Sequence, residues 1–401
     1  MIVNRPGVDF LSERNIYLAI KVFSVSVRLV IPLVTYTVGE PYSSDYHDAF
    51  LTAWTAGYLY LTLISCGFHD ELIRTDKDGL IGNIKCSVIA ITVNFSLLAF
   101  FLVFFGSEFL ELYIVVLIFN YTYSLVICSE RVMLYESKKI RLALFSLFIA
   151  FSSFFFIVLC YFGLISIEEM LLYCSGVAFF SSLYVFSGMI NGFSLSVNDL
   201  LTFYKSSFLL SIQVVLIGIY ARLEQYIFAS YSSSDFSNYF LSMRILDAFF
   251  VFLSFQSQYN LISSFRAESK LNILNYAKIP IVLFFGMVVA LFFSLAIVHF
   301  SSLGLSYPNA ESVILLSLFC SPMIILKAAN NFFVDLFKRE VRDRTNVIVI
   351  VIVLCIVSGV PVSIYLIGEF GLVGAIISAY FKLLIFILLA GANEKLQQKI
   401  I

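Results

Sequence analysis

The chain has 401 residues, of which 61% are hydrophobic and 13% charged, where an ordinary soluble domain carries ~25% charged residues. Its 25 Lys and Arg nearly cancel its 26 Asp and Glu, and no block of charge is large enough to coat a soluble domain or grip a nucleic acid. What remains is an all-α, polytopic membrane protein, because runs of ~20 apolar residues, the length that crosses a bilayer core, recur from end to end.

In chain order the apolar windows predict twelve transmembrane helices near 16–38, 51–73, 86–106, 111–130, 142–163, 170–191, 206–228, 239–262, 279–300, 312–333, 346–367 and 371–391. The first run is a full span with no small-residue cleavage site after it, so a cleavable signal is not expected. The seven cysteines form no C-x-x-C pair and lie in or beside apolar runs. They read as small packing residues, and no metal or cofactor site is expected. The connections are too short to hold a separate domain.

Charge placement orients these spans. Nineteen of the 25 cations, among them Arg74, Lys85, Arg131, Lys139, Arg141, Lys205, Lys270, Arg339 and Arg344, fall at the termini and in alternate connections. The opposite connections, near 39–50, 107–111, 164–169, 229–238, 301–311 and 368–370, hold no Lys or Arg and carry acids such as Asp45, Glu108, Glu168, Asp235, Glu311 and Glu369. A wrong helix count would scramble that alternation. Both termini are therefore expected on the cytoplasmic side.

Six cations remain inside spans: Lys21, Arg28, Arg222, Arg244, Lys327 and Lys382. Only Glu224 and Asp247 lie well within spans among the acids. A charge at a helix centre costs about 2.5–3.5 kcal/mol even on lenient insertion scales, so such groups face a protein interior or a watery cavity. Lys21, Arg222 and Arg244 sit about five residues from a helix end, within the reach of a snorkelling side chain. Arg244 and Asp247, three residues apart, could simply neutralise each other. Arg28 and Lys382 lie near the midplane with no acid in the same span.

Helical spacing collects the polar residues into stripes. Tyr17, Lys21, Ser24, Arg28, Pro32 and Thr35 share one face of the first helix. Ser207, Ser211, Gly218, Arg222 and Gln225 do so on the seventh, Arg244, Asp247, Ser254 and Gln258 on the eighth, and Gly371, Gly374, Ser378 and Lys382 on the twelfth. These stripes predict a polar cavity in which cations outnumber acids. That polarity suits an anionic group such as phosphate or pyrophosphate, and it suits a cationic drug poorly.

The stretch "ARLEQYIFASYSSSDFSNYFLSMRILD" (221–247) resembles the seventh-to-eighth helix hairpin of polysaccharide repeat-unit (O-antigen and capsule) flippases in the MOP exporter superfamily. Arg222, Glu224, Tyr239 and Arg244 occupy the places of that family's basic residue, acid, Tyr and Arg. Glu224 stands where an Asp is usual, and Asn238 where a Gly is common. "GFHDELIR" (67–74), "LGLSYPNAESVILLS" (303–317) and "GEFGLVGAIISAYFKLLIF" (368–386) agree with the same family.

The resemblance implies a V-shaped pair of six-helix bundles, residues 1–195 and 196–401, in the bacterial inner membrane, with 192–205 as the bundle linker. It implies alternating access that carries undecaprenyl-pyrophosphate-linked glycan repeat units from the cytoplasmic to the outer leaflet, beside other polysaccharide-assembly proteins. Arg28, Lys382, Lys327, Arg222, Arg244 and Lys21 are the expected substrate-binding residues, with Glu224 and Asp247 in coupling or ion pairing. Two alternatives stand beside it. A glycan polymerase or ligase would want a large external loop rich in Arg and His, and the longest external loop here holds His47 and no Lys or Arg. A multidrug exporter of the same superfamily would want acids in its cavity.

Overall fold

The computed structural model describes residues 27, 31–32, 44–68, 80–104, 109–135, 139–190, 196–231, 235–247, 249–250, 253, 273–300, 310–339 and 345–398. Its regular structure over these residues is entirely helical. The elements are α1 (Ser44–Ser65), α2 (Leu80–Phe104), α3 (Leu110–Tyr135), α4 (Lys139–Tyr161), α5 (Ile167–Ile190), α6 (Val197–Ser230), α7 (235–247), α8 (Ile273–Phe300), α9 (Ala310–Cys320), α10 (Met323–Arg339) and α11 (Thr345–Gln398). The chain divides into two compact units, Met1–Ser211 and Ile212–Ile401.

In the first unit α3 is the central helix, packed by α1, α2, α4 and α5. It tolerates burial because its polar residues bond to their own helix: Asn120 donates to the Val116 carbonyl, Ser124 to Asn120 and Ser129 to Leu125. Gly57 lets α1 approach closely, since a Cβ there would lie 2.8 Å from Asn120 Nδ2. At the end of α1, Asn94 of α2 donates to the Leu63 and Ile64 carbonyls, acceptors that a helix terminus leaves orphaned. Outward faces are apolar: Phe100, Phe101 and Phe104 on α2, and Phe148, Phe151 and Phe155 on α4, are exposed. Rows of bare phenylalanine are stable against acyl chains and not against water.

Two helices start with the same reciprocal cap. The Ser166 and Glu169 pair opens α5, each backbone amide donating to the other's side chain. Ser196 and Asp199 do the same for α6. The Ser196 amide, and then its hydroxyl, hold the exposed Asp199 carboxyl below the usual carboxylate range. This cap sets the start of α6 nine residues ahead of the predicted span at 206, so much of the expected 192–205 linker is helix. All seven cysteines are free thiols and six are buried.

Among the described residues six helices are long and apolar enough to cross a membrane: α2 to α5, the second part of α6 (Leu210–Ser230), and Val349–Ala392 of α11. The last covers two predicted spans. Gly371 breaks its helical path (φ 53°, ψ −123°), the Ser363 and Ser378 hydroxyls hydrogen-bond to each other, and Val351 and Cys355 cluster with Phe386 and Ala390. It is a helical hairpin. A further span is broken: α9 and α10 meet at a bend of 44°, where the sequence predicts one helix over 312–333. Pro322 causes it, having no amide to donate and a ring that clashes with the preceding turn. α1 falls outside the set of apolar spans, its Thr and Tyr diluting the run. The predicted span 16–38 lies largely outside the described residues, as does most of the second half of 239–262.

The hairpin turn generates a test. A Cβ on Gly374 would sit 1.9 Å from the Leu366 carbonyl oxygen, whereas one on Gly286 would meet nothing within 4 Å. Gly374→Ala is expected to destabilise by ~3 kcal/mol or more or to prevent accumulation of folded protein, and Gly286→Ala to be tolerated. Thermal unfolding of both variants in detergent checks this.

Candidate functional site

The second unit contains a cavity of about 200 Å³ lined from α6, 243–250, α10 and α11. Arg222, Glu224, Asp247, Lys327 and Lys382 all face it. Five of the eight residues singled out in the sequence therefore converge on one space, and a sixth, Arg244, stands directly behind it. Lys21 and Arg28 lie outside the described residues.

The two acids are held differently. Asp247 is gripped on both oxygens, by Arg222 at 2.9 Å and by Arg244 at 2.8 Å. Arg244 is completely buried, its side chain 0% exposed. Its guanidinium also donates to Gln225 Oε1 at 2.9 Å and stacks over the Phe240 ring at 4.2 Å. Snorkelling of Arg244 is thus replaced by a three-member ionic anchor between α6 and α7. Arg222 keeps some accessibility at 15% and presents the triad to the cavity.

Glu224 has another partner. It pairs with Lys382 of α11, and the two side chains are 2% and 5% exposed. The Lys382 ammonium also donates to the Ala221 carbonyl at 3.2 Å and lies 5.3 Å from the Tyr220 ring centre, within cation–π range. Tyr220 in turn donates to the Lys382 carbonyl at 2.8 Å and accepts from Asn330 at 3.4 Å. One aromatic ring therefore ties α6 to α10 and α11 around the ion pair.

Lys327 completes the set. Among the described residues no carboxylate pairs with it. Counted over these six side chains, four cations face two carboxylates, so the cluster carries a formal excess of two positive charges. Arg and Lys donors of this kind match the geometry of phosphate oxygens. Among the described residues no group of three His, Cys, Asp or Glu is arranged to hold a metal.

Tyr220 and Asn330 were not anticipated from the sequence. The signal was present: Tyr220 stands four residues before Glu224, and Asn330 three after Lys327, each pair on one helical face. Tyr239, carried by the family resemblance, is fully buried and packs edge-on against Phe228 at 5.6 Å. It serves α6–α7 packing.

The triad gives a stability prediction. Arg244→Met removes one of two guanidiniums from a buried carboxylate and is expected to cost ~3–5 kcal/mol, the scale for breaking a buried pair. Adding Asp247→Asn should recover part of that loss, and chemical unfolding of both variants reads the coupling.

No protein-family model and no curated protein matches the chain. Solved structures do match its fold. Lipid II flippase MurJ, in an inward closed conformation, aligns with a TM-score of 0.63 at 12% identity over 97% of this chain and 88% of that one. A multidrug resistance MATE family transporter of the MOP superfamily, in its outward-facing conformation, gives 0.62 at 12% identity over 99% and 100%. A MOP superfamily transporter from Pyrococcus furiosus, described as having a binding pocket of reverse polarity, gives 0.59 at 12% identity over 98% of each chain. Over nearly its whole length, this chain has the multi-pass membrane fold of MOP superfamily transporters.

Proposed function

We propose that the chain is a flippase for lipid-linked oligosaccharides, moving undecaprenyl-pyrophosphate-linked glycan repeat units from the cytoplasmic to the outer leaflet by alternating access. The observation that carries this reading is the excess of positive charge around a membrane-embedded cavity, with Lys327 left uncompensated among the described residues. A charge left without a paired carboxylate in a membrane interior is costly, and a ligand that brings the counter-charge offsets that cost. A pyrophosphate head supplies it.

Two further lines support the reading. The residues of 221–247 that resemble polysaccharide flippases (Arg222, Glu224 and Arg244) sit around this cavity. A lipid II flippase also has this fold. In this proposal Lys327, Lys382 and Arg222 contact the head group, Arg244 holds Asp247 in place, and Arg28 and Lys21 serve the same transit. The protein works in the bacterial inner membrane with both termini cytoplasmic, beside other proteins of polysaccharide assembly, and carries out no bond-breaking chemistry. The multidrug reading draws on the MATE transporters of the same fold. It meets a cavity of the wrong sign for a cationic drug.

The test is a flipping assay in proteoliposomes with a fluorescent polyprenyl-pyrophosphate oligosaccharide. Wild-type protein is expected to flip it, and Lys327→Ala, Lys382→Ala and Arg28→Ala to lose at least tenfold in rate with normal insertion and thermal stability. Lys21→Ala, whose ammonium has a snorkelling alternative, should lose less. Failure of the wild type to flip, with transport of a cationic dye in the same vesicles, would replace this reading with the multidrug one.

A further inference from the structure

We propose that a neutral subsite adjoins the cation cluster: Asn330 and Asn331 of α10, with Asn330 oriented by Tyr220, hydrogen-bond a ring hydroxyl of the sugar esterified to the phosphate that Lys327 holds. The proposal rests on the anion reading above and adds which part of a glycan the second unit recognises.

The observation behind it is unused hydrogen-bonding capacity. Asn330 is 3% exposed, and its Nδ2 donates to the Tyr220 hydroxyl at 3.4 Å. Its Oδ1 has no partner among the described residues, and neither has the buried Nδ2 of Asn331. One of these atoms is an acceptor and the other a donor. A buried polar atom whose hydrogen bond stays unmade has lost its hydration without return, and folded proteins keep few such atoms. A hydroxyl donates and accepts at once, so the hydroxyls of a sugar suit both. A phosphate oxygen would suit the donor only, and a hydrocarbon chain neither.

Helical geometry puts the two amides beside the anion site. Asn330 and Asn331 follow Lys327 by three and four residues, on the same side of α10 and ~5–6 Å further along its axis. Tyr220 joins the two places. Its ring lines the cavity together with Lys327 and Lys382, while its hydroxyl donates to the Lys382 carbonyl at 2.8 Å and accepts from Asn330. Engaged on both sides, that hydroxyl fixes the Asn330 amide and leaves Oδ1 as the atom to spare. A sugar esterified to a phosphate presents its nearest ring hydroxyl across a span of this size. The cavity volume of about 200 Å³ is the share of roughly seven waters at ~30 Å³ each. That is room for a phosphoryl group and the near part of one ring. The subsite therefore reads the first sugar and leaves the remainder of a glycan unread.

The test compares α-D-glucose 1-phosphate with methyl phosphate, two monoesters of equal charge that differ by the sugar, at a pH where both are dianionic. Binding to the full chain in nanodiscs is read by calorimetry, with thermal unfolding of each variant as the folding control. Wild-type protein is expected to prefer glucose 1-phosphate by about tenfold or more, since a site built for a hydroxyl rejects a ligand that lacks it. Asn331→Leu should cut that preference, and Asn330→Leu combined with Asn331→Leu should abolish it. Tyr220→Phe keeps the ring and releases the Asn330 amide, so it should lower the preference rather than both affinities in step, a split that a merely structural loss would not give. Lys327→Met should weaken both ligands alike. Equal affinity of the wild type for the two ligands, or a preference that survives in the folded double variant, overturns the subsite and leaves the anion site standing. Binding of neither ligand by the wild type overturns the anion reading and the subsite with it.

Discussion

Everything in the second unit follows from the expense of charge inside a bilayer. Four cations and two carboxylates are gathered around one cavity whose walls include the apolar spans Leu210–Ser230 and Val349–Ala392, and an isolated charge within a span costs several kcal/mol. The structure answers with two devices of different stiffness. Arg222, Asp247 and Arg244 form a triad in which a planar carboxylate meets two planar guanidiniums, and Gln225 and the Phe240 ring cover one of them. Lys382 and Glu224 form a simple pair beside Tyr220. The triad fixes α6 to α7. The pair fixes α6 to α11 through a single ammonium.

The backbone is arranged to bring those groups together. α6 begins early because Ser196 and Asp199 cap it, so a single 34-residue helix runs through to Glu224. Gly371 turns α11 back on itself, and the close approach of Gly374 to the Leu366 carbonyl keeps the turn tight. That reversal brings Phe386 alongside Val351 and Cys355 and sets Lys382 against the Ala221 carbonyl. Pro322 bends the chain between α9 and α10 at a point where Met323, the first residue after the bend, already lines the cavity. Small, stiff or N–H-deficient residues at these corners decide where the charges stand.

Much of this was legible in the sequence, for reasons that differ by level. The membrane class and most spans come from apolar run length, a signal that tertiary packing does not override. Glu224, Asp247, Arg222, Arg244, Lys327 and Lys382, which the structure brings together, could be singled out because ionisable residues in spans are rare enough to stand out. Their pairing was not. The i,i+3 spacing of Arg244 and Asp247 announces one contact, but nothing in the sequence joins Lys382 to Glu224, 158 positions away. Tyr220 and Asn330 stayed hidden because aromatic and amide residues are common in this chain and carry no charge to mark them. The break at Pro322 was missed because hydropathy averages over a bend, and the early start of α6 because a cap acts through two residues outside the apolar run.

The fold alone does not select a cargo, since a lipid II flippase and multidrug MATE transporters share it at 12% identity to this chain. Selection lies in a handful of side chains. Had Lys327 and Lys382 been neutral, the two arginines would just balance the two carboxylates, Glu224 would lose its partner, and the positive excess would vanish. With both lysines present the surplus is positive, and the more weakly held of the two acids is the one a lysine shares with the cavity. Lys382 neutralises Glu224 through one ammonium on a flexible stem. The choice of Lys over Arg at 382 therefore makes this the less rigid of the two ionic contacts, and under the flippase proposal it is the one a head group would meet.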